Sequence, residues 1–372
     1  MKALQVATGF DFSSVYQNLF QEMVNQNIEI EVHVPRKKSD DLPKIDPSAF
    51  DYKIKISKKI NKFDQLLYFP RIKKAVREIE GSHDVNSFNI THAHSLLSDG
   101  GISYELYKRY NIPYIVAVRA TDINKYFKYA KHLKPQAFKI LKNAQNIIFL
   151  SKAYKDLMYE KYFTEDNEDL IEKSLVIPNG IDNFWHENRK YAQKNWDDSS
   201  INIISVGKLV ERKNPFMVIE VQRLLTKQGF DTHLQFVGTG ELEEKIKEEV
   251  KNDSNIELLG QINDKQKLWE LYRDKDVLLV PSFTETFGLV YAEAMSTGTP
   301  VIYTRGQGFD GVFEEGEVGY SVDPNSEEEI VEAVKKIKEK NKIISNNALK
   351  GSKQFNWTDI VREYSLLYDI NK

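Results

Sequence analysis

Along the chain, short apolar runs alternate with longer stretches in which apolar residues recur every third or fourth position. Ala3–Thr8, Ile28–Val34, Asn89–Ala93, Pro113–Val118 and Asn146–Leu150 read as strands. Asn202–Val206, Leu234–Gly238, Ile256–Gly260, Val277–Val280 and Val301–Tyr303 repeat the pattern in the second half. Between them, the spacing of Val15, Leu19 and Met23 predicts a helix over Ser13–Asn25. Further helices are expected at Trp269–Arg273, Leu289–Ser296, Glu327–Lys340 and Thr358–Tyr368. Strands and helices in alternation predict an α/β chain on parallel sheets, because parallel neighbours need long crossovers.

The densest stretch is Asp276–Thr304, DVLLVPSFTETFGLVYAEAMSTGTPVIYT. It reads as a buried strand, a polar loop over Ser282–Phe287 ending at Gly288, a helix, a Gly298-Thr299-Pro300 stop and a second buried strand. The loop lies at the carboxyl end of a parallel sheet, where open α/β sheets bind ligands. Glu285 and Glu293 bracket it. Backbone N–H groups of Thr286, Phe287, Gly288, Leu289 and Val290 lie at a helix N-terminus, which attracts phosphate. N–H donors for a phosphate beside carboxylates for neutral hydroxyls suit a sugar joined to a nucleotide diphosphate.

The 372 residues are enough for two domains. Hydrophobic residues at 41% and charged residues at 29% fit a globular protein. The absence of cysteine excludes disulfides and Cys-based zinc sites. The opening MKALQVATGF is expected to be a strand rather than a signal peptide, and no run approaches the ~20 apolar residues of a membrane helix. A cytoplasmic location, peripheral at the inner membrane face, is the corresponding expectation. Residues 1–186 carry 27 basic and 23 acidic side chains, and residues 187–372 carry 25 and 32. The mildly basic first half suits an anionic lipid or acceptor. Its Lys-rich stretch Lys53–Phe63 precedes Leu66, Leu67, Tyr68 and Phe69, a mixture compatible with peripheral membrane contact. Arg36–Asp41 reads as a charged loop and Thr164–Glu172 as an exposed acidic loop.

The string PS-x-x-E-x-F-G-x-x-x-x-E-A-M-x-x-G-x-P-V, with its E-x7-E core, resembles retaining glycosyltransferases of the two-domain GT-B fold, family four. Gly207-Lys208-Leu209 through Lys213 is similar to that family's G-R-L-x-x-x-K-G string. The resemblance implies two Rossmann-like domains facing each other across a cleft: an acceptor-binding domain over 1–183 and a nucleotide-sugar domain over 184–355. A C-terminal helix over 356–372 would cross back to the first domain. It implies that Lys208 and Lys213 hold the diphosphate, Glu285 orients the sugar hydroxyls and Glu293 receives the ribose hydroxyls. Gly207, Gly238, Gly240, Gln261 and Ile262 would complete the donor site. Two cations at a strand's carboxyl end neutralise a diphosphate as it departs.

In the first half, Gly9 stands alone where the family carries a Gly pair, with Phe10 and Phe12 beside it. Arg119 in Arg119-Ala120-Thr121-Asp122 stands where the family has a His. Arginine stays protonated and is no general base. It binds anions, so Asp122 or an anionic group of a substrate is its expected partner. His94 is the remaining candidate on this side. His92-Ala93-His94 lacks further ligands for a metal. Asp274-Lys275-Asp276 spells a metal motif but sits at the amino end of a strand, so it reads as helix end and strand entry. Gly238-x-Gly240 lacks the third glycine of a dinucleotide fingerprint, Glu243 standing in its place. The expectation is a hexosyltransferase using a UDP-sugar, with a glycan or lipid-linked acceptor, in polysaccharide or glycoconjugate synthesis. No cofactor, metal or nucleic-acid partner is expected. A nucleotide-sugar-binding protein without transfer activity and a nucleotide-sugar epimerase are the alternatives.

Overall fold

The computed structural model describes residues 1–10, 13–35, 46–57, 67–164, 167–189 and 199–369. Phe12, the Arg36–Asp41 run, the Lys-rich stretch from Lys58 through Leu66, and Trp196 lie outside them. The chain divides into two compact units, Met1–Gly180 with Trp357–Lys372, and Ile181–Asn356. No helix among the described residues is long and apolar enough to cross a membrane.

The first unit is a seven-stranded sheet. Its strands are β1 (Lys2–Val6), β2 (Glu29–Val34), β3 (Lys53–Ile56), β4 (Ile90–Ala93), β5 (Tyr114–Val118), β6 (Asn146–Phe149) and β7 (Ser174–Val176). They run in the order β3-β2-β1-β4-β5-β6-β7, each neighbour parallel. β5 is buried along its whole length, which explains why it reads as an unbroken apolar run, and β4 is equally buried although it carries Thr91 and His92. Edge strand β3 instead alternates, with Lys53 and Lys55 exposed and Ile54 buried. Charges on an edge discourage pairing with another chain. The expected first helix spans Ser14–Asn25 and is capped by Ser13, whose hydroxyl accepts from the Val15 N–H.

The last helix, Trp357–Tyr368, belongs to this first unit. Its Trp357, Ile360, Val361, Tyr364 and Tyr368 join the apolar layer containing Ala3, Ile30, Ile90 and Ile115. Gly180 allows the turn: a Cβ there would lie 2.5 Å from the Trp357 ring. The Tyr368 hydroxyl meets His92 Nδ1 at 2.7 Å and accepts from Gln5 Nε2 at 3.0 Å, all three residues being buried.

The second unit has six parallel strands: β8 (Ser200–Val206), β9 (Asp231–Val237), β10 (Ile256–Leu258), β11 (Val277–Leu279), β12 (Val301–Thr304) and β13 (Gly319–Val322). Their order is β10-β9-β8-β11-β12-β13. β13 and the Asn341–Gly351 helix were not expected. β13 is short and begins with glycine, so it carries little apolar signal.

Two expectations need correction. The units change over between Gly180 and Ile181, ahead of the expected 183/184 boundary, and again between Asn356 and Trp357. Ile181 donates its N–H to Phe355 and pairs with Asn356. Asp182 caps a helix over Asn183–Asn188, and that helix buries Trp185 against Tyr272. The polar stretch there is thus tied into the second unit at its start. The acidic segment Thr164–Glu172 is not all loop: Glu168–Glu172 is helical, because Leu170 is buried under it.

The Tyr368 hydroxyl gives a stability prediction. Tyr368→Phe removes the partner of His92 Nδ1 and of Gln5 Nε2 in the interior and is expected to cost about 1–3 kcal/mol. The check is the urea midpoint of the first unit's unfolding, and an unchanged midpoint refutes this role for the network.

Candidate functional site

All loops that follow parallel strands emerge on one edge of the sheet. Where the strand order reverses, neighbouring loops part and leave a crevice. In the second unit the reversal lies between β8 and β11, and in the first between β1 and β4.

In the second unit, β8 is followed by Gly207, Lys208 and Lys213, and β11 by the loop that carries Glu285. Lys213 Nζ is ion-paired to Glu285 Oε2 across the reversal. The two side chains are only 14% and 11% exposed. Lys213 is therefore not a solvated surface lysine, and Glu285 is not free: each is the other's first partner. The loop is held from its far side as well. Glu285 donates its N–H to Gln307 Oε1 at 3.0 Å, and its carbonyl accepts from the Gly308 N–H at 3.1 Å. Gln307 lies in the Gly-rich loop after β12, and nothing in its sequence setting marks it as a support.

Gly238, after β9, must be glycine: its φ is +136° and a Cβ would lie 1.9 Å from the Gly207 carbonyl oxygen. The Gly238 N–H reaches the Gly260 carbonyl at 2.8 Å, and Leu209 donates to Thr239 beside Gly240. The backbones after β8, β9 and β10 thus lie directly on one another. Gly288, at φ +80°, starts the Leu289–Ser296 helix, and a Cβ there would lie 2.3 Å from the Tyr291 ring. The N–H groups of Gly288, Leu289 and Val290 have no backbone acceptor among the described residues. Thr286 donates instead to Glu285 Oε1, and Phe287 is buried.

Glu293 is half-buried in this helix, and burial pushes its carboxyl up to about 7. Asp182 adds to the rise. The Tyr272 hydroxyl, 3.5 Å from Oε2, and Lys265 oppose it. Lys208 is exposed and makes no ion pair among the described residues. Gln261 is exposed, its amide bonded to Asn263, and Ile262 is half-buried. These three share the carboxyl edge with the Lys213–Glu285 pair. Asp276 accepts from the Asn202 N–H at 2.7 Å, and Asp274 ends the Lys265–Arg273 helix. Asp274-Lys275-Asp276 is helix end and strand entry.

In the first unit, the reversal holds a pocket of about 170 Å³ bordered by Thr8, Gly9, Tyr16, Ser98, Asp99 and Arg119. The Arg119 guanidinium lies 5.8 Å from the Tyr16 ring centre, and its Nε donates to the His94 carbonyl at 2.9 Å. Of the two expected partners of Arg119, Asp122 makes no guanidinium–carboxylate pair with it and instead accepts from the Arg119 backbone N–H. Asp122 is buried and accepts from the backbone N–H groups of Leu96, Leu97 and Arg119. Main-chain donors consume its oxygens, so it shapes the loops after β4 and β5. His94 borders the pocket, but its Nε2 is committed to Gln5 Oε1 at 2.9 Å. Burial, His92 and Arg119 hold the His94 ring well below the usual histidine range, so it is neutral. The pocket's second carboxylate, Asp99, was missed. It accepts from the Thr8 N–H at 3.2 Å, from the Thr8 hydroxyl and from Ser95 Oγ at 2.9 Å. Burial raises it to about 6. In the sequence it is only one aspartate at a helix start.

Residues 187–353 match the family model described as Glycosyl transferases group 1. An uncharacterised glycosyltransferase of Methanocaldococcus jannaschii is 26% identical, covering 84% of this chain and 82% of that protein. Sucrose-phosphate synthase from Thermosynechococcus elongatus superposes with a TM-score of 0.74 at 19% identity, covering 99% of this chain and 98% of the other. Anabaena Alr3699/HepE, solved in complex with UDP and glucose, gives 0.68 at 16%, covering 98% of each. The structural likeness establishes the fold, the two-domain GT-B architecture of parallel α/β sheets.

The Lys213–Glu285 pair is open to a double-mutant cycle with Lys213→Met and Glu285→Gln. A coupling of about 1–3 kcal/mol is expected from urea unfolding of the unliganded protein, since the pair is mostly shielded from water. Additive single changes place the two side chains apart in solution.

Proposed function

Residues 187–353 match the group 1 glycosyltransferase family model, and from that match we propose that the chain belongs to this family and transfers a sugar from a UDP-linked donor to a hydroxyl of a glycan or lipid-linked acceptor. Retention at the anomeric carbon, a hexosyl donor, independence from a metal and a place in cell-surface polysaccharide or glycoconjugate synthesis are part of the proposal. The observation that carries it is the Lys213–Glu285 pair at the strand-order reversal of the second sheet.

The diphosphate is taken by Lys213, by the exposed Lys208 and by the N–H groups at the start of the Leu289–Ser296 helix. An ammonium has three donors, so Lys213 serves a phosphate oxygen and still holds Glu285. Glu285, fixed by Gln307, Gly308 and Lys213, accepts hydrogen bonds from sugar hydroxyls. Glu293, farther along the same helix, accepts from the ribose. The acceptor oxygen bonds to the anomeric carbon as the bond to the diphosphate oxygen breaks. The acceptor's proton passes to the departing phosphate on the same face, so no side-chain base is required. Arg119, which makes no ion pair among the described residues, is the anion-binding group of the first unit's pocket. The UDP assignment draws support from the bound UDP in the HepE neighbour.

The test is a thermal-shift screen of nucleotide sugars in excess chelator, followed by transfer assays of the best donor with mixed acceptors. A UDP-sugar is expected to bind and to be transferred. Lys213→Ala is expected to lower turnover ~100-fold, and Arg119→Ala to lower transfer far more than UDP affinity. Donor binding with neither transfer nor hydrolysis points to a binding protein. A new sugar stereoisomer points to an epimerase, and activity that needs added divalent cations overturns the metal-free reading.

Glu293 supplies a pH prediction. Its carboxyl titrates near 7 in the fold, against an ordinary value of 4.5. The proton is thus held more tightly in the folded protein, and ionisation costs stability as pH rises through that window. Ribose hydroxyls donate to the carboxylate, so donor binding favours the ionised form and releases a proton. UDP affinity is expected to rise with pH up to about 7 and then level off. In Glu293→Gln the rise is expected to vanish, with weaker binding above neutrality. A wild-type profile in the variant removes Glu293 from the ribose site.

A further inference from the structure

Residues 123–155 of the first unit contain eight lysines and no aspartate or glutamate. Elsewhere, surface lysines are commonly balanced, as Lys108 is by Glu105, Lys247 by Glu243 and Glu244, and Lys335 by Glu332. Within the acid-free run, Lys128, Lys131, Lys134 and Lys139 are exposed and make no ion pair among the described residues. Like charges held together without counterions repel one another, so the arrangement favours an anionic partner.

The tertiary structure concentrates these charges. The Lys134–Asn143 helix buries Ala137, Ile140 and Leu141, which turns Lys134, Lys139 and Lys142 outward. Beside it lies an open groove of about 640 Å³, bordered by Lys131, Lys134, Phe138, Lys139, Tyr162 and Phe163. The rings form its floor: Phe138 stacks on Phe163 with centroids 6.0 Å apart. Lysines stand over aromatic faces, Lys134 at 5.5 Å from Phe163 and Lys161 at 5.8 Å from Tyr162. On the same segment Lys128 lies 5.2 Å from the ring of Tyr129, which is 73% exposed. The groove is wide and open, and its lysine ammonium groups remain in water. It therefore lacks the convergent enclosed donors of a small-anion pocket.

We propose that this lysine–aromatic face is a docking surface for an anionic lipid bilayer. Ammonium groups would meet lipid phosphates while Tyr129 and the groove rings lie at headgroup level, the depth that amphipathic rings prefer. None of the residues bordering the groove is among those assigned to transfer, and the inference does not depend on the donor.

The experiment is vesicle flotation of the full chain with phosphatidylcholine alone and with phosphatidylcholine mixed with phosphatidylglycerol. Binding is expected only to the anionic vesicles and is expected to fall steeply with salt. Replacing Lys131, Lys134 and Lys139 together by Gln is expected to weaken it roughly 100-fold, and each alone about fivefold. An unchanged thermal midpoint and unchanged UDP binding show that the variants remain folded. If the triple variant does not fold, the single variants carry the test. The proposal is overturned by equal binding of variant and wild type, by equal binding to neutral vesicles or by no binding to the anionic ones. Preference for a soluble acidic polysaccharide over anionic vesicles also overturns it and assigns the groove to a glycan.

Discussion

A parallel strand pair cannot be closed by a tight turn, so every connection in both sheets must cross over, and every loop after a strand must leave from the same edge. That constraint gathers Gly207, Gly238, Gln261 and Glu285 from distant parts of the sequence onto one edge. It acts the same way on Gly9, His94 and Arg119 in the first unit. Each sheet reverses its strand order once, at β1/β4 and at β8/β11, and the charged candidates stand at these places. No single residue explains this. It follows from winding crossovers outward in two directions from a central strand pair.

Charge buried at such edges needs partners, and the two units supply them differently. In the first, Asp122 is satisfied by three main-chain N–H groups and Asp99 by Thr8 and Ser95. Those carboxylates hold loops in place, and Arg119 borders the pocket they frame. In the second, Lys213 and Glu285 hold each other, a partnership that a phosphate or sugar hydroxyl can join without first dismantling it. Burial raises the Glu293 carboxyl to about 7 against the opposing long contact to the Tyr272 hydroxyl.

Local signals made much of the fold legible. Ser13, Gly288 and the Gly298–Pro300 stop mark helix ends for reasons of backbone geometry alone, and β5 is buried throughout because its five residues are apolar throughout. Elements with weaker local signal escaped, as β13 and the Glu168–Glu172 helix did. The boundary between units was misplaced because a polar stretch looks like a linker, whereas Trp185 and Ile181 anchor its start to the second unit.

The sequence by itself determined the α/β class, the strand–loop–helix unit around Glu285 and Glu293, and the loop glycines, because these rest on short-range periodicity and on backbone conformations near one residue. Only the tertiary structure decided partnerships. Asp122, three residues from Arg119, was one of its two expected partners, yet the Asp122 carboxylate is taken by backbone N–H groups that follow β4. Lys213 and Glu285 looked like two independent ligands and are one ion pair. His94, a candidate of the first unit, borders its pocket but is tied to Gln5 of β1. A side chain's partner is set by which strands lie beside one another, and that order is not written in the spacing of any one segment.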